Sequence, residues 1–396
     1  MFLLNALKKQ IDVILFILFN LIVFSFITNN VETDIEEHLQ HIVNINANVT
    51  NYPPNFLFYY LANILSLFSS NLKLLYWSTI LLLSISNTLR FYISKLIIKK
   101  LSKNNGFKPK PFQLTVLALL LFICFGIPDY FNLFEFKKLY ITRIVSNVWH
   151  NSTLILLFPF AFLLFFKQYQ VLENPLKSKP IDLVIITFLV LINIIIKPSF
   201  VFVYIPVTLI FLLKIMLSLG LRKIAYLFLP IILGSLFLLI QYLMIYKFQI
   251  GSIQSDEVSQ VIIVKPFKYY LYWMPAWYLP IMFLFSYTLP FFSIILKPKI
   301  LKYKPFLYAL CMSIFGLLIS IFVMESGPRQ WHGNFMWQNI ICSSLLFLTN
   351  VIFLNTCYLK KNNMSAKLKF LTGIFMLHCV SGVIYLFKIY HTHMYI

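Results

Sequence analysis

Apolar residues run along this chain in blocks of about 17–23 residues separated by short polar connectors, the spacing of helices cut to the thickness of a bilayer. The blocks predict spanning helices at 11–28, 74–96, 112–128, 152–167, 181–196, 200–216, 224–246, 276–296, 305–324, 335–357 and 370–388. The polar exception is 31–54, VETDIEEHLQHIVNINANVTNYPP. Thr33 followed by Glu36 has capping-box spacing, so a helix is expected to start there with Asp34 in its first turn. On it Asp34, Glu37, His38 and His41 share one face by i, i+3, i+4, i+7 spacing, and Ile35, Leu39, Ile42 and Val43 form a second. Such a helix lies on a membrane surface with its carboxylates and imidazoles upward.

Composition agrees: 60% of residues are hydrophobic and 11% charged. The expected fold is all-α, a polytopic transmembrane bundle of about eleven spans forming a single integral membrane domain over 1–396. Residues 11–28 are followed by no small-residue cleavage site and read as the first span. Six lysines within 95–110, and Lys8 and Lys9, place those two segments in the cytoplasm. Only one span fits between that lysine cluster and the acidic loop, so 55–70 reads as a second interfacial helix in an outer loop, 29–73. Threading onward makes 95–111, 167–180, 214–223, 297–304 and 358–369 inner, and 129–151, 247–275 and 325–334 outer. Nine of the twelve acids then fall outside: Glu32, Asp34, Glu36, Glu37, Asp129, Glu135, Asp256, Glu257 and Glu325. The net charge of +21 faces the anionic cytoplasmic leaflet, which argues against nucleic acid as a partner. Five scattered cysteines without C-x-x-C spacing suggest buried thiols, neither a disulfide framework nor a zinc site. No fixed-period repeat or inverted pair of halves is evident.

Six of the seven histidines are outer in this threading. So are Asn147–Asn151, Lys197-Pro198, an aromatic group (Tyr269, Tyr270, Tyr272, Trp273, Trp277) and the loop MESGPRQWHGNFMW at 324–337. Inner loops carry lysines but no glycine-rich phosphate loop and no D-x-D pair, so a site fed by soluble nucleotides is not indicated. Asp34, Glu37 and His38 are the candidate catalytic residues. His41, His150, Lys197, Glu325, Arg329, His332 and Trp337 are the candidate binding residues. A carboxylate there can take a proton from a hydroxyl, and Arg329, Lys197 and His332 can stabilise a phosphate that gains charge. Each feature has a plainer reading. The acids and imidazoles can be the wet face of the helix, Glu36 a cap, Glu32 merely solvated, His150 an interfacial anchor beside Trp149, and Lys197 a snorkelling side chain. The tyrosines and tryptophans can be an aromatic belt. The 324–337 loop is harder to explain away, because Gly327-Pro328 and Gly333 fix an irregular backbone around Glu325, Arg329 and His332. Mid-span polar residues are few (Asn193, Gln241, His378), which speaks against a transport pathway.

This layout resembles the GT-C superfamily of polytopic glycosyltransferases. The resemblance covers most of the chain: a cytoplasmic N-terminus, one span, a long acidic first outer loop, a bundle, and later outer loops rich in basic and aromatic residues. TDIEEHLQH supplies an acid where that superfamily carries its base, with Asp34 the best match and Glu36-Glu37 the alternative; Pro53-Pro54 before an aromatic helix start is also similar. The resemblance implies a polyprenyl-phosphate-linked sugar donor, a glycan or lipid acceptor at the outer face of the cell membrane, and inversion at the sugar. It implies no obligatory metal, a divalent cation being compatible. Two departures, the lack of a large C-terminal outer domain and of the Asp-Glu pair of protein mannosyltransferases, leave the acceptor open. The competing expectations are a polymerase or ligase of undecaprenyl-diphosphate-linked glycans, and a transporter or flippase of lipid-linked sugars.

Overall fold

A computed structural model describes residues 11–104, 106, 108–135, 144–250, 259–361 and 365–395. Lys8, Lys9, Asp256 and Glu257, which entered the charge reading, lie outside the described residues. The described chain is almost wholly helical: α1 Ile11–Asn30, α2 Ile35–Asn46, α3 Leu57–Leu65, α4 Leu72–Asn104, α5 Pro111–Ile123, α6 Ser152–Glu173, α7 Pro180–Ile196 and α8 Ser199–Leu219. After these come α9 Leu221–Lys247, α10 Lys268–Trp273, α11 Ala276–Ser286, α12 Thr288–Leu296, α13 Lys304–Phe322, α14 Trp337–Lys361 and α15 Ala366–Thr392. Eight of them (α1, α4, α6, α8, α9, α13, α14, α15) are long and apolar enough to cross a membrane. The protein is a multi-pass membrane helix bundle.

The remaining predicted segments are helical but differ from plain spans, each for a visible reason. The expected helix over 112–128 stops at Ile123, because Gly126 and Pro128 favour extended backbone. The segment expected over 276–296 bends by 67° between α11 and α12. Pro290 has no N–H to give Ser286 and its ring crowds that carbonyl. Lys197, extended at φ −166°, separates α8 from α7, and α7 is only 17 residues long. α3 has nine residues, about 14 Å, and is too short to span.

Two polar ties set the helix arrangement at opposite heights. Asp12 accepts from both Lys95 and Thr115, joining α1, α4 and α5 at one end. Asn87 donates to Asn20 across α4 and α1 at 3.2 Å, higher up. The non-helical stretch after α5 runs through the interior, where unpaired backbone groups are expensive. They are paired: Phe125 N–H donates to His378 O at 3.0 Å and Ile127 N–H to Phe285 O at 3.2 Å. The Phe125 and Gly126 carbonyls meet His378 Nδ1 and Ser381 Oγ of α15. Gly382 makes this crossing feasible, because a Cβ there would lie 1.5 Å from Ile123 O. Gly382→Ala is therefore expected to destabilise the bundle by about 3 kcal/mol or more, read as a lowered unfolding temperature in detergent. An unchanged transition would show that α15 does not press on this segment.

One small departure from all-α architecture matters for the site. Val261–Ile263 (β1) pairs antiparallel with Val323–Glu325 (β2), matching Val261 with Glu325. The ladder, with Gly327 and Gly333 at positive φ, gives the 324–337 loop a fixed course.

Candidate functional site

The site is assembled from helix ends. The apolar face of α2 is buried through Ile35, Leu39 and Ile42, which turns Asp34, His38 and His41 the other way. The expected capping box does not form: Thr33 Oγ1 accepts only from Ile35 N–H, at 3.3 Å, and Asp34 occupies the N-cap position without capping. Asp34 is thereby left for other contacts. Asn151 Nδ2 donates to Asp34 Oδ2 at 3.1 Å, and His38 Nε2 lies 3.6 Å from the same oxygen. Asp34 Oδ1 is buried with no partner among the described residues. The side chain keeps 30% of its surface although protein crowds round it.

Asn151 holds the site together. It is the N-cap of α6, its Oδ1 accepting from Leu154 N–H at 2.9 Å, so its amide orientation is fixed with Nδ2 toward Asp34. Lys197 Nζ donates to Thr153 Oγ1 at 3.1 Å and to Asn151 Oδ1 at 3.4 Å, and lies 4.8 Å from the ring centre of Trp337. This one ammonium joins the acid-bearing N-terminal segment to the start of α14. His150, fully buried, stacks on Tyr395 with centroids 4.0 Å apart, bringing the C-terminal tail to the same end of the bundle.

Electrostatics follow from this crowding. Burial pushes the Asp34 carboxyl up, but contact with His38 and the positive field of Lys197 outweigh it and hold the carboxyl below its ordinary value. His150 adds little to that field at neutral pH: burial drives its imidazole down to about 4 and leaves it neutral. Burial also brings Lys197 down to about 8, against the pull of Asp34 and Glu325. Burial and the neighbouring His38 lower His41.

The second cluster lies in the loop before α14. Glu325 is buried and both its oxygens are engaged: Tyr246 donates to one at 2.6 Å, Asn334 to the other at 2.5 Å. Arg329 Nη1 stands 3.8 Å from it, with 45% of the arginine side chain exposed. Glu325 thus braces the loop and aims Arg329, while the guanidinium stays open to a ligand. Arg329 is close enough to act on the Tyr59 phenol beside His38, so the two clusters share one end of the bundle. Trp331 stacks on Tyr272 at 3.8 Å.

The structure therefore brings together Asp34, His38, His41, His150, Lys197 and Trp337, with Glu325 and Arg329 alongside. Two other candidates face solvent. Glu37 is exposed, and His332 is exposed with no side-chain hydrogen bond, ring contact or ion pair among the described residues. Tyr59, Thr153 and Tyr395 were not singled out from the sequence, and Asn151 was noted only as part of the outer polar segment Asn147–Asn151. Only Asn151 gave a local signal, as Asn-Ser-Thr before an apolar run.

Arg90 adds a buried charge to the few mid-span polar residues expected (Asn193, Gln241, His378). It is buried in α4 at 2% exposure and donates to Asn147 at 2.7 Å, Ser344 at 2.7 Å and Ser146 O at 3.2 Å. Its guanidinium carbon lies 3.6 Å from the Phe158 ring centre, and it makes no ion pair among the described residues. Phe158 and Ser344 come seven residues after Asn151 and Trp337, so the guanidinium lies about 10 Å beneath the site. From there it ties down the segment that carries His150 and Asn151. A lone arginine in an apolar run was the missed signal.

Among the described residues no group of His, Cys, Asp and Glu is arranged to hold a metal ion. Comparison with known proteins gives no match: no family model, no curated sequence and no solved structure is significantly similar to this chain.

Proposed function

We propose that this chain is a GT-C-type glycosyltransferase that moves a sugar from a polyprenyl-phosphate donor to a glycan, lipid or other envelope acceptor at the outer membrane face. In this reading the eleven helical segments are all spans, with α5, α7 and the bent α11–α12 pair completing the bundle. The N-terminus and the lysine-rich connectors are then cytoplasmic, and the Asp34 end faces outward. The observation that carries the reading is the Asp34 carboxylate: Oδ2 accepts from Asn151 and faces His38, and Oδ1 is buried without a partner among the described residues. A buried acceptor left unpaired is costly, and an acceptor hydroxyl supplies the missing donor. Oδ1 takes that hydroxyl's proton as its oxygen bonds the anomeric carbon. The sugar–phosphate C–O bond breaks, its electrons leaving on the polyprenyl phosphate, where Lys197 and Arg329 meet the added charge. His38 orients the base, and Trp337 supports Lys197.

One observation favours a lipid-linked-sugar transporter instead: Arg90 is a charge buried at depth in α4. Its three hydrogen bonds and its stack on Phe158 fit an internal clamp better. The test is to incubate the purified chain in lipid with polyprenyl-phosphate hexose and a glycan or lipid acceptor. Release of polyprenyl phosphate with sugar on the acceptor is expected, and its loss in Arg329→Ala. Movement of intact donor between leaflets without cleavage would replace the enzyme reading with the transporter.

A further inference from the structure

Tyr59 lies in α3, the short helix packed over α2, and is 8% exposed. Its hydroxyl is 2.9 Å from His38 Nδ1, and no other hydrogen bond to it exists among the described residues. His41 and His38 both pack against its ring, with centroids 5.3 Å away. His38 thus has a phenol on one ring nitrogen and a carboxylate on the other.

Donor and acceptor accounting selects one arrangement. If His38 carried its proton on Nδ1, the Tyr59 oxygen would accept it and the buried phenolic hydrogen would have nowhere to go. Bare Nε2 would also face the Asp34 carboxylate at 3.6 Å, lone pair against lone pair. With the proton on Nε2, both ring nitrogens of His38 and the phenol are matched: Tyr59 O–H donates to Nδ1, and Nε2–H faces Asp34 Oδ2 at 3.6 Å. The phenol is a donor throughout the working range, since burial, with Asp34 and Glu37 nearby, raises it well above its ordinary value against the opposing Arg329.

We propose that Tyr59 is a positioning residue: it fixes His38 as the Nε2–H tautomer, and that tautomer anchors Asp34 Oδ2 and leaves Oδ1 for the reacting hydroxyl. The catalytic part of this rests on the reading of Asp34 as base; the tautomer does not. Without the phenol, His38 loses its reason to keep Nδ1 bare. The proton then redistributes between the two ring nitrogens, and the hold on Asp34 weakens.

The test is 15N spectroscopy of histidine-labelled protein in lipid at neutral pH, with His38 assigned by His38→Asn. Nδ1 is expected to resonate as a bare nitrogen and Nε2 as a protonated one, and Tyr59→Phe is expected to mix the two tautomers. In transfer assays Tyr59→Phe should lower kcat about three- to tenfold at nearly constant KM, the worth of one hydrogen bond. In a His38→Asn background the same substitution should change nothing, because Tyr59 acts through the imidazole. A protonated Nδ1 in the unaltered protein overturns the proposal, as does an equal loss of kcat in both backgrounds. If the spectra come out as expected but no variant or parent transfers sugar, the positioning role stands and the transferase reading falls.

Discussion

Asp34→Asn is expected to abolish most sugar transfer, by about 10²–10⁴-fold in kcat, the range associated with a positioned proton acceptor. The substitution is nearly isosteric. The asparagine carbonyl still accepts from Asn151, so the tie between α2 and the start of α6 is kept. What disappears is the oxygen with no partner, which in asparagine becomes an amide nitrogen or a weakly basic carbonyl unable to take a proton. Binding of a donor held through its phosphate should change little, so the loss belongs in kcat rather than KM. The unfolding transition in detergent should stay within about 1 kcal/mol of the parent. Transfer at parental rates by Asp34→Asn would remove this carboxylate from the reaction and pass the role to Glu36 or Glu37.

The second large effect concerns Lys197 and carries a sign. Its ammonium titrates at about 8 rather than 10.5. The charge opposite the leaving phosphate is therefore present below about pH 8 and fades above it. Transfer should show an alkaline limb at about 8, with the acid limb set by Asp34 beneath the ordinary carboxylate range. Lys197→Arg should push the alkaline limb upward, because a guanidinium stays charged. Lys197→Met should lower transfer about 10²–10³-fold and erase the limb. Stability moves in the opposite sense. A lysine whose folded pKa lies below its unfolded one costs stability while protonated, and folding regains that stability as pH rises from about 8 toward 10.5. Activity falling while stability rises over one pH range distinguishes titration of Lys197 from alkaline unfolding. A profile unchanged in Lys197→Met would sink the assignment.

Much of the helix layout was legible because a bilayer demands long apolar blocks, and each expected block is helical. The errors fall where local chemistry overrides block length. Gly126 with Pro128 ends α5 early, and Pro290 splits the helix at 276–296 into α11 and α12. The acids and imidazoles of 31–41 stood out because polar residues are scarce in such a chain. Their partners did not. Tyr59 meets His38 across 21 residues and Asn151 meets Asp34 across 117, separations no local pattern encodes. Glu37 and His332 were chosen by residue type and helical spacing, yet type does not reveal which side chains turn toward solvent. Arg90 was visible in the sequence, but charge was weighed mainly by loop, and its role came from the segment it holds.

The extended backbone after α5 has a consequence for how the molecule is made. The groups that satisfy Phe125 and Gly126 belong to His378 and Ser381, 253 and 255 positions later. A growing chain emerges from the ribosome N-terminal end first, so this stretch waits, unsealed, until α15 has been synthesised. Insertion cannot be completed helix by helix here. α15 acts as the closing stave, and a nascent chain halted before it would expose raw peptide groups to lipid.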